Sequence, residues 1–576
     1  MLSCIGSPEA YRAERRVVPS APVSGPGIGY ALERIGRFLS GWTRVTAPPP
    51  GVRFERDVEV RARDGVILRV NVFRPEGDAR VPVLMSAHPY GKDALPRKGI
   101  FGYRAPMLYR IMRQGGDARI SAWTSWEAPD PAYWTGRGYA VINCDLRGFH
   151  RSDGDGSLLT RDQGRDCHDV VEWAAAQPWS TGKVGMCGVS YLAISQWLTA
   201  AERPPHLAAI CPWEGFTDPY RDICYAGGVR EDGFIPFWSG TLKSETRNHD
   251  AVRAEQLARP WPDAWWAERT PKLEDIDVPT LVCGSFSDHN LHTRGSFEGF
   301  RRVSSKDKWL YTHRGGKWVE FYSEGARTMQ SRFFDFFLKG DDTGMRGVPP
   351  VRLEVRDLGG VVHEVRGEHE WPLARTRWTP LHLHADGTLR EAAASSTAEV
   401  AYESLSGCAR FAFRFEADTE LTGPMKLRLH AEARGADDLV VFAGVRKLRH
   451  GREIVFEGSY GFGRDLVTRG WIKASHRRLD EAASTPYRPV LTHDRDEKLR
   501  AGEVVPLEIE LMPSATLFRA GDELRLDLQG RYFYRRHPLL GQFPAAYEAS
   551  PPCTAVIHCG GAHDSHLLVP VVPRAR

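Results

Sequence analysis

Several features that would assign this chain to an easy class are scarce or missing. No apolar run approaches the ~20 residues that span a bilayer, so no membrane-spanning helix is expected. The amino terminus, Met1-Leu2-Ser3-Cys4-Ile5-Gly6-Ser7-Pro8-Glu9-Ala10, lacks a basic n-region and a continuous apolar h-region. Those are the two parts of a secretory signal, so cytoplasmic residence is the expectation. An excess of charge of one sign is missing too. The 77 Lys and Arg against 73 Asp and Glu leave +4 over 576 residues, which provides no concentrated field for nucleic acid. The ten cysteines are scattered. Cys144, Cys187 and Cys283 lie in strand-like runs, where reduced thiols pack as small hydrophobes. No Cys-x-x-Cys pair and no His-Glu-x-x-His pattern occurs, so neither a metal nor a cofactor is expected. The partner these exclusions leave is a small molecule.

What is present is globular. A hydrophobic fraction of 42% with 26% charged residues is enough for two or three cores at this length. Residues 1–50 are rich in Pro, Gly and Arg and end in Pro48-Pro49-Pro50, which reads as an N-terminal extension. Strand and helix patterns then alternate over 51–215 and 273–345, as expected of a mostly parallel sheet covered on both faces. Residues 216–272 interrupt them with aromatic-rich helical segments such as Phe234-Ile235-Pro236-Phe237-Trp238, which predicts a helical cap over a cleft. From 346 to 576 short alternating strands take over, as in Met425-Lys426-Leu427-Arg428-Leu429-His430, which predicts an all-β sandwich with one wet face.

Chemistry concentrates in Gly182-Lys183-Val184-Gly185-Met186-Cys187-Gly188-Val189-Ser190-Tyr191-Leu192. A short buried strand enters a tight turn, and Ile194, Trp197 and Leu198 then recur at helical spacing. A serine on such an elbow projects its hydroxyl from the sheet edge over a helix N-terminus, where developing negative charge is favoured. Gly-x-Ser also occurs in ordinary strand–helix turns. Here, however, an acid and a histidine follow in the order an α/β-hydrolase requires. Asp288 lies in the loop after Val278-Pro279-Thr280-Leu281-Val282-Cys283-Gly284, and His313 closes the strand Lys308-Trp309-Leu310-Tyr311-Thr312. Asp288 is the expected acid and His313 the expected base. His289 and His292 are rivals in the acid-bearing loop, but neither ends the following strand.

The chain resembles the cocaine esterase and α-amino acid ester hydrolase group of the X-prolyl dipeptidyl-peptidase superfamily. The resemblance is carried by Gly188-Val189-Ser190-Tyr191-Leu192, by Asp145-Leu146-Arg147-Gly148 with Ser152 and Gly154, and by Val278-Pro279 through Asp288. It continues in Arg332-Phe333-Phe334-Asp335-Phe336-Phe337-Leu338-Lys339-Gly340 and the C-terminal third. It implies an α/β-hydrolase domain with a helical cap plus a C-terminal jelly roll. It also implies an oxyanion hole made by Tyr90, in His88-Pro89-Tyr90-Gly91-Lys92, and the Tyr191 amide. Two departures stand out. The family's Gly-x-Ser-Tyr-x-Gly loses its last glycine, since Ala193 and Ile194 follow here. The second and third residues after the acid, carboxylates in the α-amino acid ester hydrolases, are Asn290 and Leu291, which argues against α-amino specificity.

The expected activity is cleavage of a small-molecule carboxylic ester, or amide, through an acyl-enzyme. An X-prolyl dipeptidyl-peptidase is the alternative, although fifty proline-rich residues cannot form the extra N-terminal domain those enzymes carry. A non-catalytic hydrolase-fold binding protein is the other alternative. Relatives commonly form homo-oligomers, a property the sequence does not specify for this chain.

Overall fold

The computed structural model describes residues 43–573 except 101, 107–117, 243–246, 248–250, 459–464 and 538–539, together with Leu32 and Ile35. The expected N-terminal extension therefore lies almost wholly outside the described residues. Ten strands form the first sheet: β1 (Val52–Arg61), β2 (Ile67–Pro75), β3 (Val81–His88), β4 (Ala140–Asp145) and β5 (Ser180–Val189), then β6 (Leu207–Trp213), β7 (Thr280–Ser285), β8 (Lys308–His313), β9 (Val351–Leu358) and β10 (Val361–Glu368). They pair in the order β1-β2-β4-β3-β5-β6-β7-β8-β9-β10, parallel from β4 to β9 and antiparallel at both ends. Every residue of β3, β4 and β7 is buried, the pattern of strands covered on both faces rather than one.

Helix α1 (Arg161–Ala175) shows the sheet one face, through residues that include Cys167, Val170, Val171 and Ala174. Helix α2 (Tyr191–Ala201) is buried along almost its whole length, so its apolar residues are not confined to a stripe. Between β6 and β7 the cap contributes α3 (Phe234–Leu242), α4 (Val252–Ala258) and α5 (Ala264–Glu268). The Glu231 carboxylate accepts from the Gly233, Phe234 and Ile235 amides. It thereby satisfies donors that the start of α3 cannot satisfy within the helix. Asp263 does the same for α5 through the Trp265 and Trp266 amides. After β7 comes α6 (Thr293–Arg302), and after β8 comes α7 (Lys317–Phe321).

The C-terminal half is all-β. Its strands are β11 (Arg377–Leu383), β12 (Ala398–Glu403), β13 (Ala409–Arg414), β14 (Thr419–Arg434) and β15 (Val440–Arg449), then β16 (Thr468–Lys473), β17 (Val505–Phe518), β18 (Glu523–Gln529), β19 (Thr554–Cys559) and β20 (His566–Val572). Strand β14 pairs with β17 on one edge and with β20 and β19 on the other. Strand β11 lies outside β20, and β12 outside β19. The facing sheet runs β13-β18-β15-β16. Leu427, Leu429 and Ala431 of β14 enter the shared core with Leu526 and Leu528, while Lys426, Arg428 and His430 turn away, which is the expected alternation.

The two halves are joined through the interior. Strand β9 meets β17 at Arg356 and Thr516. The fully buried Arg314, just past β8, donates to the Leu466 and Val467 carbonyls and to Ser514 Oγ. Among the described residues no helix is long and apolar enough to cross a membrane.

Candidate active site

Ser190 directly follows β5 with φ 60° and ψ −115°, a strained conformation for a side-chain-bearing residue and of the kind that collects at functional sites. Gly188 makes the turn achievable, because with φ +151° a Cβ there would lie 2.5 Å from Leu192 Cβ. The glycine that the elbow lacks at Ala193 has a counterpart across the packing contact. A Cβ on Gly215 would sit 2.6 Å from Ala193 Cβ, so the space is left by Gly215 instead. Glu127 (φ 63°) and Glu214 (φ 50°) share the positive-φ strain of Ser190 and adjoin it. The Val189 amide donates to the Glu127 carbonyl at 3.1 Å, and the Ser190 amide to the Trp213 carbonyl at 3.0 Å.

The side chain at the serine hydroxyl is His292. Its Nε2 lies 2.8 Å from Ser190 Oγ, and both residues are buried. The chain reaches this position by winding tightly after β7. The Leu291, His292 and Thr293 amides all point at the Asp288 carbonyl, at 3.1 to 3.2 Å. The Phe216 amide donates to His292 Nδ1 at 3.1 Å, which leaves the single proton of the neutral ring on Nε2. Burial, followed by the charge of Lys317, pushes the imidazole pKa well below the usual 6.5.

His313, the expected base, has other partners in the structure. His313 ends β8, but its Nε2 lies 3.0 Å from Glu214 Oε1, and its Nδ1 accepts from the Gly315 amide. It makes no hydrogen bond to Ser190. The cause is the next residue. Arg314, the first residue past the strand, is held by the Leu466 and Val467 carbonyls and Ser514 of the C-terminal half, which keeps His313 at the sheet edge beside Glu214. Burial alone would lower the His313 pKa, yet the Glu214 carboxylate outweighs it and the net direction is up.

Asp288, the expected acid, faces Lys317. The Asp288 carboxylate is hydrogen-bonded to neither histidine ring; its Oδ2 is 2.5 Å from Lys317 Nζ, with both side chains fully buried. Burial disfavours the Lys317 ammonium, but Asp288, Glu214 and Glu127 together hold its pKa up. The third histidine, His289, is buried with Nδ1 3.5 Å from Asp465 of the C-terminal half. Glu127 accepts from Trp318 Nε1 at 3.0 Å, and burial raises its pKa to about 8.

Tyr90 and Ser190 line the same two spaces. One is a narrow apolar pocket under the cap, with Leu159, Phe216, Ile223, Leu291 and His292 in its wall. The other is a cleft of about 620 Å³ bordered by Trp126, Glu127, His150 and Phe237. Tyr90 Oη accepts from Trp238 Nε1 at 3.2 Å, leaving its own proton to donate. Its loop is anchored by the buried Lys92 ammonium, 2.5 Å from Asp57 and 2.6 Å from Asp93. The Tyr191 amide begins α2 and has no acceptor within that helix.

Comparisons with known proteins agree with this architecture. Residues 64–316 match the X-Pro dipeptidyl-peptidase (S15 family) model, and residues 343–568 match the X-Pro dipeptidyl-peptidase C-terminal non-catalytic domain. Cocaine esterase from Rhodococcus sp. (strain MB1 Bresler) is 26% identical over 607 residues, covering 90% of this chain and 98% of the esterase. A solved CocE/NonD family hydrolase from Staphylococcus aureus is 35% identical, with a TM-score of 0.85, covering 92% of this chain and 98% of that one. The chain belongs to the CocE/NonD hydrolase family. A solved α-amino acid ester hydrolase, 17% identical with a TM-score of 0.69 and covering 90% of this chain and 97% of its own, shares the fold. This CocE/NonD protein is thus a serine hydrolase with an α/β-hydrolase domain and a C-terminal all-β domain.

The structure brings Ser190 together with His292, which the sequence offered only as a rival to His313, and it adds Glu127, Glu214 and Lys317, which the sequence did not single out.

Proposed function

We propose that this hydrolase cleaves the carboxylic ester, or amide, of a small molecule through an acyl-enzyme on Ser190, with His292 as the proton carrier. The observation that carries the reading is the 2.8 Å contact between Ser190 Oγ and His292 Nε2 at a strained elbow facing the cleft. In the resting tautomer His292 donates to the serine. To take the serine proton at Nε2, the ring must carry its own proton on Nδ1, so the Phe216 contact is released in the reactive state. The imidazolium then formed returns a proton to the leaving group.

Tyr90 Oη and the Tyr191 amide are the donors proposed for the oxyanion, Tyr90 lining both the pocket and the cleft and Tyr191 the pocket. With Ser190 lining both spaces, a compact apolar group occupies the narrow pocket while the wider, more polar cleft takes the other side of the scissile bond. A fluorophosphonate probe, applied to the wild type and to Ser190→Ala, tests the nucleophile. Labelling of the wild type alone is expected, and equal labelling of both would overturn the reading. A panel of esters and amides with acyl groups of graded size then defines the substrate class.

A further inference from the structure

The outer face of the C-terminal sheet gathers four histidines that the hydrolytic site does not use. Register places them side by side. His382 of β11 pairs with His566 of β20, which pairs with Arg428 of β14. One step along, His430 of β14 pairs with His558 of β19, which pairs with Glu399 of β12. Leu381, Leu383, Leu427, Leu429, Ile557 and Leu567 face the core, so by the two-residue period of a strand these six side chains share the opposite face.

Within this face three ligand atoms converge. Asp564 Oδ1 is 2.9 Å from His382 Nδ1 and 3.2 Å from His566 Nδ1, and all three atoms lie within 4.8 Å of one another. A tetrahedral ion with arms of about 2.0–2.1 Å has ligand–ligand edges of about 3.3 Å, so the spacing is that of a preformed half-shell. The two rings project from directly opposed residues on neighbouring strands, which fixes their separation without a loop. Asp564, two residues before His566, supplies the charge from the same side. The nearby cation, Arg428, is turned toward Glu508, its Nε lying 3.7 Å from that carboxylate.

The other convergent sets are otherwise engaged. Glu399 and Glu432, beside His558, are both bridged by Arg434 at 2.9 Å. Glu214 and His313, beside Cys283, form the buried pair under the hydrolytic site, and burial keeps the Cys283 thiol well above its ordinary pKa.

We propose that His382, Asp564 and His566 form a binding site for a divalent transition-metal ion of the zinc class, with solvent completing the shell. Imidazole and carboxylate donors suit such an ion. It would clip β11 to the turn entering β20. The site lies on the C-terminal sheet and does not depend on the chemistry at Ser190.

The test uses the full chain, freed of metal by chelator and titrated with Co²⁺, whose visible absorption reports tetrahedral coordination, and then with Zn²⁺ as competitor. The wild type is expected to develop the cobalt band at one ion per chain and to lose it on zinc addition. The variant His382→Gln/His566→Gln should bind at least about tenfold more weakly, as befits loss of ligands, with an unchanged circular dichroism spectrum. His558→Gln should bind like the wild type. A wild type that takes up neither ion, or a double variant that matches it, overturns the proposal. So does a His558→Gln variant that alone loses binding.

Discussion

Strands β5 and β8 end at the same edge of one parallel sheet, and each presents a chemically capable side chain at its tip. At β5 the backbone breaks sharply, and Ser190 is thrust into the space between pocket and cleft. At β8 the strand ends at His313, and the next residue, Arg314, is held in the interior by the C-terminal half. His313 therefore stays in the sheet and is neutralised by Glu214 at 3.0 Å. A strand end supplies reach, but what the following residue binds sets direction.

The largest expected effect separates the two tips. Ser190→Ala and His292→Ala should each lower kcat/KM on the best ester on the order of 10⁴-fold or more, because nucleophile and base act as a unit. His313→Gln replaces the ring facing Glu214 with a neutral amide donor, so it should destabilise the fold by about 1–3 kcal/mol while folded protein keeps kcat within roughly tenfold. Steady-state kinetics beside urea unfolding read both effects, and a stable His313→Gln enzyme with no turnover would reverse the assignment. The pH profile adds a sign. A base must be neutral, and the His292 pKa lies well below 6.5, so the acid limb of kcat/KM should fall well below that pH.

Next comes the cation beneath the site. Lys317 is the counter-charge shared by Asp288, Glu214 and Glu127, so Lys317→Met strands buried carboxylates and should cost about 3–5 kcal/mol in urea unfolding. Adding Asp288→Asn should recover part of that loss, since one stranded charge is removed. Unfolding midpoints that match the wild type would show that Lys317 is not the balance point.

Tyr90→Phe is the third. Removing an oxyanion donor should lower the acylation rate constant by roughly 10²–10³-fold with substrate affinity little changed. The ring and its edge contact with Tyr191, at 6.2 Å between centroids, remain. Single-turnover kinetics that show unaltered acylation would make Tyr90 a wall residue only.

These contrasts follow how far each feature depends on distant chain. The elbow is written in five consecutive residues, and the fully buried strands in their unbroken apolar runs, so both were legible. The partner of Ser190 was not, because His292 gains its place from a turn wound on the Asp288 carbonyl and from the Phe216 amide, neither of which has a side-chain signature. Lys317 gains its meaning from three carboxylates on three separate segments. The histidine face was invisible for the same reason. His382 and His566 are 184 positions apart and meet only through strand register, whereas a search for spaced metal motifs sees neighbours in sequence alone.

The smallest predicted effect concerns Glu127, on the cleft side of the comparison. Its carboxyl ionises near 4.5 when unfolded but keeps its proton to about 8 in the native protein, because burial penalises the charge. Between those values the native state binds the extra proton, so this group makes stability fall as pH rises through that window. Below about 4.5 it contributes no slope, and above about 8 its cost is complete and constant. Glu127→Gln cannot ionise and keeps an acceptor for Trp318 Nε1. It should flatten the fall in Tm across the window and gain most over the wild type above pH 8. Thermal unfolding of both proteins between about pH 5 and pH 9 decides the matter. Parallel curves would mean that Glu127 is already ionised at neutral pH, its charge held by Lys317.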